Sequence, residues 1–194
     1  MKKEKSPNNK NQEENWEKEF DKKFSLSDFW LKRKMKKKEF YYTDIEMVKD
    51  LLSITPVFWQ KDIVLDAGSG NGAWYHNLLC PQENRRECEI ERGNDFYKWE
   101  EKVDWVVGNP PFRHNGENQI WKWIDKASQI TNKGMGFLLN HKVFNTLTPV
   151  RLQLLADRGF YIQHIRIVAD KRWFGRYYYL IFGRENKSLI SWKK

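Results

Sequence analysis

The stretch Val64-Leu65-Asp66-Ala67-Gly68-Ser69-Gly70-Asn71-Gly72 decides how the rest of this chain folds. An apolar run of Ile63, Val64 and Leu65 stops at an acid and gives way to glycines at alternate positions. That order predicts a buried strand breaking into a tight turn, where a ligand can press against bare backbone, with a helix to follow. Alternate glycines after a strand suit any nucleotide-like ligand. The spacing Gly68, Gly70, Gly72 differs from the G-x-G-x-x-G of dinucleotide folds.

About forty residues downstream the chain reads Val106-Val107-Gly108-Asn109-Pro110-Pro111-Phe112. Val103 to Val107 is an apolar-rich strand candidate, and it runs straight into two prolines that remove successive backbone donors and fix φ. A stiff segment at the end of a strand suits the positioning of a reactant. The first stretch, D-x-G-x-G-x-G, resembles the cofactor loop of class I S-adenosylmethionine-dependent methyltransferases. By that resemblance Asp66 contacts the methionine amino group, and Gly68, Gly70 and Gly72 admit the methionine and ribose. The second stretch resembles the N-P-P-[FY] catalytic motif of methyltransferases that alkylate planar nitrogens, namely adenine N6 in DNA or RNA and the glutamine amide in proteins.

Chemistry accounts for these residue types. An exocyclic adenine amine is a poor nucleophile because its lone pair is delocalised into the ring, so a catalyst must favour the pyramidal form. Hydrogen-bond acceptors do so. The resemblance gives that part to the side-chain oxygen of Asn109 and the carbonyl of Pro110, with Pro111 stiffening the segment and Phe112 stacking on a flipped-out base. A sulfonium cofactor already carries an activated methyl group, leaving alignment and water exclusion to the protein, and no metal is expected.

At 194 residues the chain has room for one core of ordinary size and little for a separate recognition domain. No apolar run approaches the ~20 residues of a membrane span, and the Lys-rich start lacks the apolar stretch of a signal peptide, so an intracellular, cytoplasmic protein is expected. The two cysteines, Cys80 and Cys88, are expected as reduced thiols. The net charge of +9 is unevenly spread: +5 over residues 1–40, −6 over 41–112, +3 over 113–150 and +7 over 151–194. A cationic cofactor on the acidic part and a polyanion on the basic parts would suit that division.

Residues 1–15 are polar and read as a disordered tail. From 16 to 40, charges interrupted by Trp16, Phe20, Phe24, Phe29 and Trp30 suggest a basic, aromatic helical extension, and the remainder, 41–194, reads as the methyltransferase domain. Asp44 near its start, with Ile45, Val48, Leu51 and Leu52 as an apolar face, marks a helix. The preceding Tyr42 and Thr43 resemble the Y-T-P segment that lines the methionine pocket of adenine methyltransferases, although Asp44 replaces the proline. A short helix from Ala73 to Leu79 should end before Pro81. A second strand, Glu87 to Glu91, carries its acid about twenty residues past the turn, where nucleotide folds set a carboxylate against ribose hydroxyls; Glu89 is the candidate and Glu91 the alternative. Gly93-Asn94-Asp95-Phe96 resembles a G-D-F segment, which gives Asp95 the cofactor's adenine N6–H and Phe96 a place beside its ring.

Beyond Phe112, residues 113–118 read as a polar loop on the pocket rim, then Ile120 to Ile130 as a helix and Gly136 to Asn140 as a buried strand, with His141 and Lys142 at its exit. Thr148-Pro149 should cap and start a helix reaching Asp157, stopped by Gly159. Tyr161–Val168 and Tyr177–Phe182 form the final pair of strands, matching the antiparallel seventh strand of the methyltransferase sheet. Arg113, and Arg172, Trp173 and Arg176 in the loop joining those strands, are the candidates for phosphate contact and base stacking.

Together these features resemble small adenine-N6 methyltransferases of phages and bacteria. The implied fold is a Rossmann-like α/β domain, a mostly parallel seven-stranded sheet with helices on both faces and the site at the carboxyl ends of its strands. The implied cofactor is S-adenosylmethionine and the partner a nucleic acid, DNA before RNA, with a protein partner as a possible source of sequence specificity. Two rivals stand beside it: methylation of a protein glutamine amide, and a non-catalytic nucleic-acid-binding subunit of an active enzyme.

Overall fold

The computed structural model describes residues 42–114, 117–169 and 175–186, with the backbone alone at 113 and 114. The expected tail and helical extension, and Arg172 and Trp173, lie outside the described residues. Helix α1 (Ile45–Ser53) begins where Asp44 caps it, its carboxylate accepting the backbone N–H of Glu46 at 3.0 Å and of Met47 at 3.4 Å. The helix buries Val48, Leu51 and Leu52, each stabilising by ~1.5–3 kcal/mol. Ile45, expected on that face, is exposed because it precedes the first turn that touches the sheet.

The strands β1 (Val64–Ala67), β2 (Arg85–Cys88), β3 (Val103–Gly108), β6 (Thr131–Asn140), β7 (Tyr161–Val168) and β8 (Tyr177–Gly183) form one sheet in the order β2-β1-β3-β6-β8-β7. β1 pairs in parallel with β2 and β3, and β3 with β6; β8 alone runs antiparallel, slotted between β6 and β7. The last two strands thus take the arrangement expected of them. Among the described residues the main sheet has six strands and not seven. Between Cys88 and Val103 the chain forms only 3-10 turns, Ile90–Arg92 and Phe96–Lys98, leaving no room for a crossover helix and a further strand. A separate hairpin of β4 (Arg113–His114) and β5 (Glu117–Asn118) replaces the expected polar loop.

Helices cover both faces. On one, α1 and α2 (Ala73–Asn77) pack over Val64, Trp105, Val107, Leu138 and Tyr179. On the other, α3 (Ile120–Ile130), α4 (Val143–Thr146) and α5 (Pro149–Asp157) cover Leu65, Val106, Met135, Phe137 and Leu180. Alternation along β6 explains the asymmetry. Met135 and Phe137 fill the second face, whereas Gly134 and Gly136 leave the first free for Trp105 and Tyr179; a Cβ at either glycine would lie within 2.4 Å of those rings or hydroxyl. Tyr179 reaches the Thr55 hydroxyl at 2.8 Å, so its buried oxygen is satisfied. Thr148 and Pro149 start α5 as expected, the threonine hydroxyl accepting from the Arg151 N–H. Among the described residues no helix is long and apolar enough to cross a membrane.

Candidate active site

The turn after β1 has the conformation its glycines allow: φ is +70° at Gly68, +53° at Gly70 and +80° at Gly72. The Gly68 and Ser69 N–H groups both donate to the Cys88 carbonyl at 3.0 Å, tying the turn to the end of β2. Gly70 N–H donates to Glu89 Oε2 at 2.6 Å, and Glu91 N–H to Glu89 Oε1 at 3.2 Å. Glu89 stands just beyond β2, which ends at Cys88, earlier than the sequence pattern suggests. Its carboxylate keeps lone pairs to spare, since each oxygen accepts one backbone donor. Arg92 straps the outside of the turn, donating to Ser69 Oγ and pairing with Glu87 at 2.7 Å.

Asp66 is wholly buried at the end of β1. Its Oδ2 accepts the Tyr75 N–H of α2 at 2.9 Å, and its Oδ1 has no partner. Burial pushes its pKa up to about 8, the single amide only partly offsetting that penalty, while the charges of Glu87 and Glu89 push the same way. Gly108, at the end of β3 with φ +148°, is what lets the two strands close here: a Cβ on it would sit 2.8 Å from the Ala67 carbonyl and 3.3 Å from Asp66 Oδ1.

One residue on, Asn109 donates from Nδ2 to Thr43 Oγ1 at 3.2 Å, and the Trp74 indole N–H donates to the same oxygen at 3.2 Å. Asn109 Oδ1 is buried and unpartnered. Buried polar atoms are rarely left orphaned, and Asp66 Oδ1 and Asn109 Oδ1 are two unpartnered acceptors near the ends of the neighbouring parallel strands β1 and β3. The register explains the shape around Asn109. β3 stops at Gly108, opposite Phe137, while β6 runs three residues further to Asn140, paired with Tyr177 at the start of β8. The Asn109–Phe112 segment therefore lies at the foot of a taller β6–β8 wall, and the Phe112 ring meets Tyr177 at 5.7 Å.

Tyr42 and Thr43 belong to this neighbourhood: a Cβ at Gly70 would lie 3.2 Å from the Tyr42 ring. Asp95 is partly exposed and caps its own 3-10 turn through the Tyr97 N–H at 3.0 Å. Phe96 is buried and stacks on Trp123 at 4.5 Å. Arg176 stands at the same end of the sheet, its carbonyl accepting the His141 N–H at 3.0 Å. The β4 backbone places Arg113 one residue beyond Phe112. Three participants escape a reading of the sequence. Trp123 would lie 3.2 Å from a Cβ at Gly68 and carries an orphaned indole N–H; its helical spacing signalled only a core position. Trp74 and Arg92 act through partners too distant in sequence for any local pattern to reveal. Among the described residues no group of three or more His, Cys, Asp or Glu side chains is placed to hold a metal ion.

No family model matches the sequence, and neither does any curated protein. Solved structures do match the fold. The magnesium protoporphyrin IX methyltransferase ChlM from Synechocystis PCC 6803, with bound SAM, superposes with a TM-score of 0.54 at 15% identity over 73% of this chain and 78% of that one. A putative RNA methyltransferase from Pyrococcus horikoshii gives 0.51 at 15% over 77% and 94%. A putative hemolysin from Streptococcus thermophilus gives 0.53 at 11% over 79% and 70%. The chain has the Rossmann-like fold of class I methyltransferases. The names of these neighbours differ in what they act on, so substrate must be argued from the site.

Proposed function

We propose that this chain is an S-adenosylmethionine-dependent methyltransferase acting on adenine N6 in nucleic acid, DNA ahead of RNA. The observation that carries the reading is Asn109, its Oδ1 buried without a partner and its Nδ2 held by Thr43 at the end of β3, next to two prolines. An adenine amine has two N–H bonds, and Asn109 Oδ1 and the Pro110 carbonyl are acceptors of the right kind for them. Acceptance of both draws the nitrogen toward its pyramidal form, and Phe112 with Tyr177 offers an aromatic wall for the base.

The residues present fit the cofactor. The orphaned Asp66 Oδ1 suits an ammonium group, and the Gly68–Gly72 turn presents bare backbone at positions where a Cβ would press on Trp123, Tyr42 or His76. The spare lone pairs of Glu89 suit ribose hydroxyls, and Asp95 beside Phe96 suits an adenine edge. Tyr42 flanks the turn and Thr43 orients Asn109. Bound S-adenosylmethionine supplies a methyl group already activated on a sulfonium. The chain's part is to bind, align and exclude water; Asn109 and Pro110 hold the amine, and the departing proton can pass to solvent after transfer. Arg113, Arg172, Trp173 and Arg176 are proposed to meet phosphates and bases, and so short a domain leaves sequence specificity to its loops, its N-terminal extension or a partner protein.

The test is transfer of tritiated methyl from S-adenosylmethionine to duplex DNA, single-stranded DNA, RNA and cell protein, followed by digestion of the labelled pool. Label in N6-methyladenine, lost in Asn109→Ala, is the expected result. Label in glutamine instead would overturn the nucleic-acid reading.

A further inference from the structure

Beside the Asn109 segment the sheet carries apolar surface that the proposed chemistry does not use. Tyr177 and Tyr178 are consecutive in β8. Tyr177 pairs with Phe112, and the Tyr178 ring meets Phe144 of α4 edge-on at 4.7 Å and 86°. Phe144 is 42% exposed, and Ile167, which pairs with Tyr178 across to the edge strand β7, is 69% exposed. Side chains alternate along a strand, so Tyr178 packs with the face that α3, α4 and α5 cover, as Phe112 does, while Tyr177 packs with the opposite face; the exposed surface runs from Phe144 and Tyr178 onto the sheet edge at Ile167.

The elements that carry this surface supply charges of one sign. Residues 133–150, 161–168 and 175–184, which supply α4, β7 and β8, contain no aspartate or glutamate. Lys142 immediately precedes α4 and Arg176 immediately precedes Tyr177. Among the described residues neither has an ion pair, whereas Arg166, the cation of β7, is taken up by Asp50 at 2.9 Å. An exposed Phe144 ring beside a half-buried Tyr178, with these two cations flanking the same elements, complements a chain of bases and phosphates. A duplex cannot use such faces, because the neighbours of a target base stay stacked inside the helix. A single strand can, and it also avoids the unpairing cost of presenting its target.

We propose that the Phe144–Tyr178–Ile167 surface binds single-stranded nucleic acid, a nucleotide near the target stacking on Phe144 and Tyr178 with its phosphates against Lys142 and Arg176. The inference rests on the methyltransferase reading for the purpose of that binding and names the form of its substrate. Binding itself is measured without turnover.

The full chain, with S-adenosylhomocysteine present, is titrated by fluorescence anisotropy against a labelled DNA strand of about twenty nucleotides, its duplex and the RNA strand of the same sequence. A single strand, DNA or RNA, should bind at least about tenfold tighter than the duplex, and the tighter of the two names the polymer. Phe144→Ala should weaken strand binding by about 5- to 150-fold, the range for one lost base stack. Phe144→Leu should weaken it similarly, and Phe144→Tyr should restore it, separating stacking from loss of apolar packing. Lys142→Ala and Arg176→Ala should each lower the salt dependence of binding. Duplex binding as tight as strand binding, no binding to any oligonucleotide, or unchanged affinity in folded Phe144→Ala would overturn the proposal. Strand binding that depends on Phe144 without methyl transfer to any pool would leave the surface standing and remove the methyltransferase reading. Methylated duplex adenine with a neutral Phe144→Ala would do the reverse.

Discussion

Titration of Asp66 gives cofactor binding a pH dependence that follows from the residue's surroundings. Its carboxyl is fully buried with one amide donor, and its pKa is pushed up to about 8. At pH 6 about one part in a hundred is therefore ionised, rising to half at pH 8. A ligand that brings an ammonium to Oδ1 needs the carboxylate, so its apparent affinity should climb close to tenfold per pH unit between pH 6 and 7.5. It should flatten near pH 8, where the ligand's own amine starts to lose its charge. Isothermal titration with S-adenosylhomocysteine in buffers of different ionisation enthalpy measures both affinity and proton count. About one proton should be released per ligand bound near pH 6.5. Asp66→Asn should bind weakly and without the slope.

Folding stability carries the opposite sign to ligand affinity. The folded protein holds this proton up to about pH 8 while the unfolded chain gives it up near the ordinary value of 3.8. The stability associated with it is present below pH ~4 and is lost as pH rises toward 8, by an upper bound on the order of 5 kcal/mol. Ligand-free Asp66→Asn should thus gain stability relative to wild type between pH 5 and pH 8. Affinity that stays flat from pH 6 to 7.5, with no proton released, would refute the reasoning and remove Asp66 from the ligand's ammonium.

Asn109→Ala should abolish methyl transfer while leaving S-adenosylhomocysteine affinity within a few-fold of wild type, read by titration beside the transfer assay. Thr43→Val removes the oxygen that takes the Asn109 and Trp74 donors. It should cut turnover at saturating cofactor about ten- to a hundredfold and cost ~1–3 kcal/mol in thermal unfolding, with Thr43→Ser restoring most of both. Gly108→Ala would press a Cβ on Ala67 and Asp66 at a positive φ, so cofactor binding should be lost and stability fall by ~1–3 kcal/mol. Burial raises the thiol pKa of Cys80 and pushes that of Cys88 up to about 12, and both thiols are buried. A disulfide-exchange reagent at pH 8 should leave them unmodified until denaturant is added.

The sequence by itself was enough for what local chemistry controls. The apolar run ending in Asp66 and three glycines, the strand ending in two prolines, the Thr148-Pro149 start of α5 and the closing strand pair each follow from periodicity or turn chemistry within about ten residues. Together with resemblance they pointed to the class of fold. The second strand was placed two residues late at its start and three at its end because Glu89 and Glu91, polar at alternate positions around Ile90, imitate a strand that the 3-10 turn ends. The near-absence of a helix between Glu91 and Gly93 was legible in the sequence as a shortened flank, but the count of six strands needed the structure. Only tertiary structure decided the chemistry at the site. Thr43 and Asn109 lie 66 residues apart, and their meeting takes up Nδ2 and leaves the buried Oδ1 without a partner. Asp66 owes its raised pKa to burial between β2, β3 and α2, and Trp123 owes its place on Gly68 to the packing of α3. Such properties belong to distances across the fold, which no window along the chain contains.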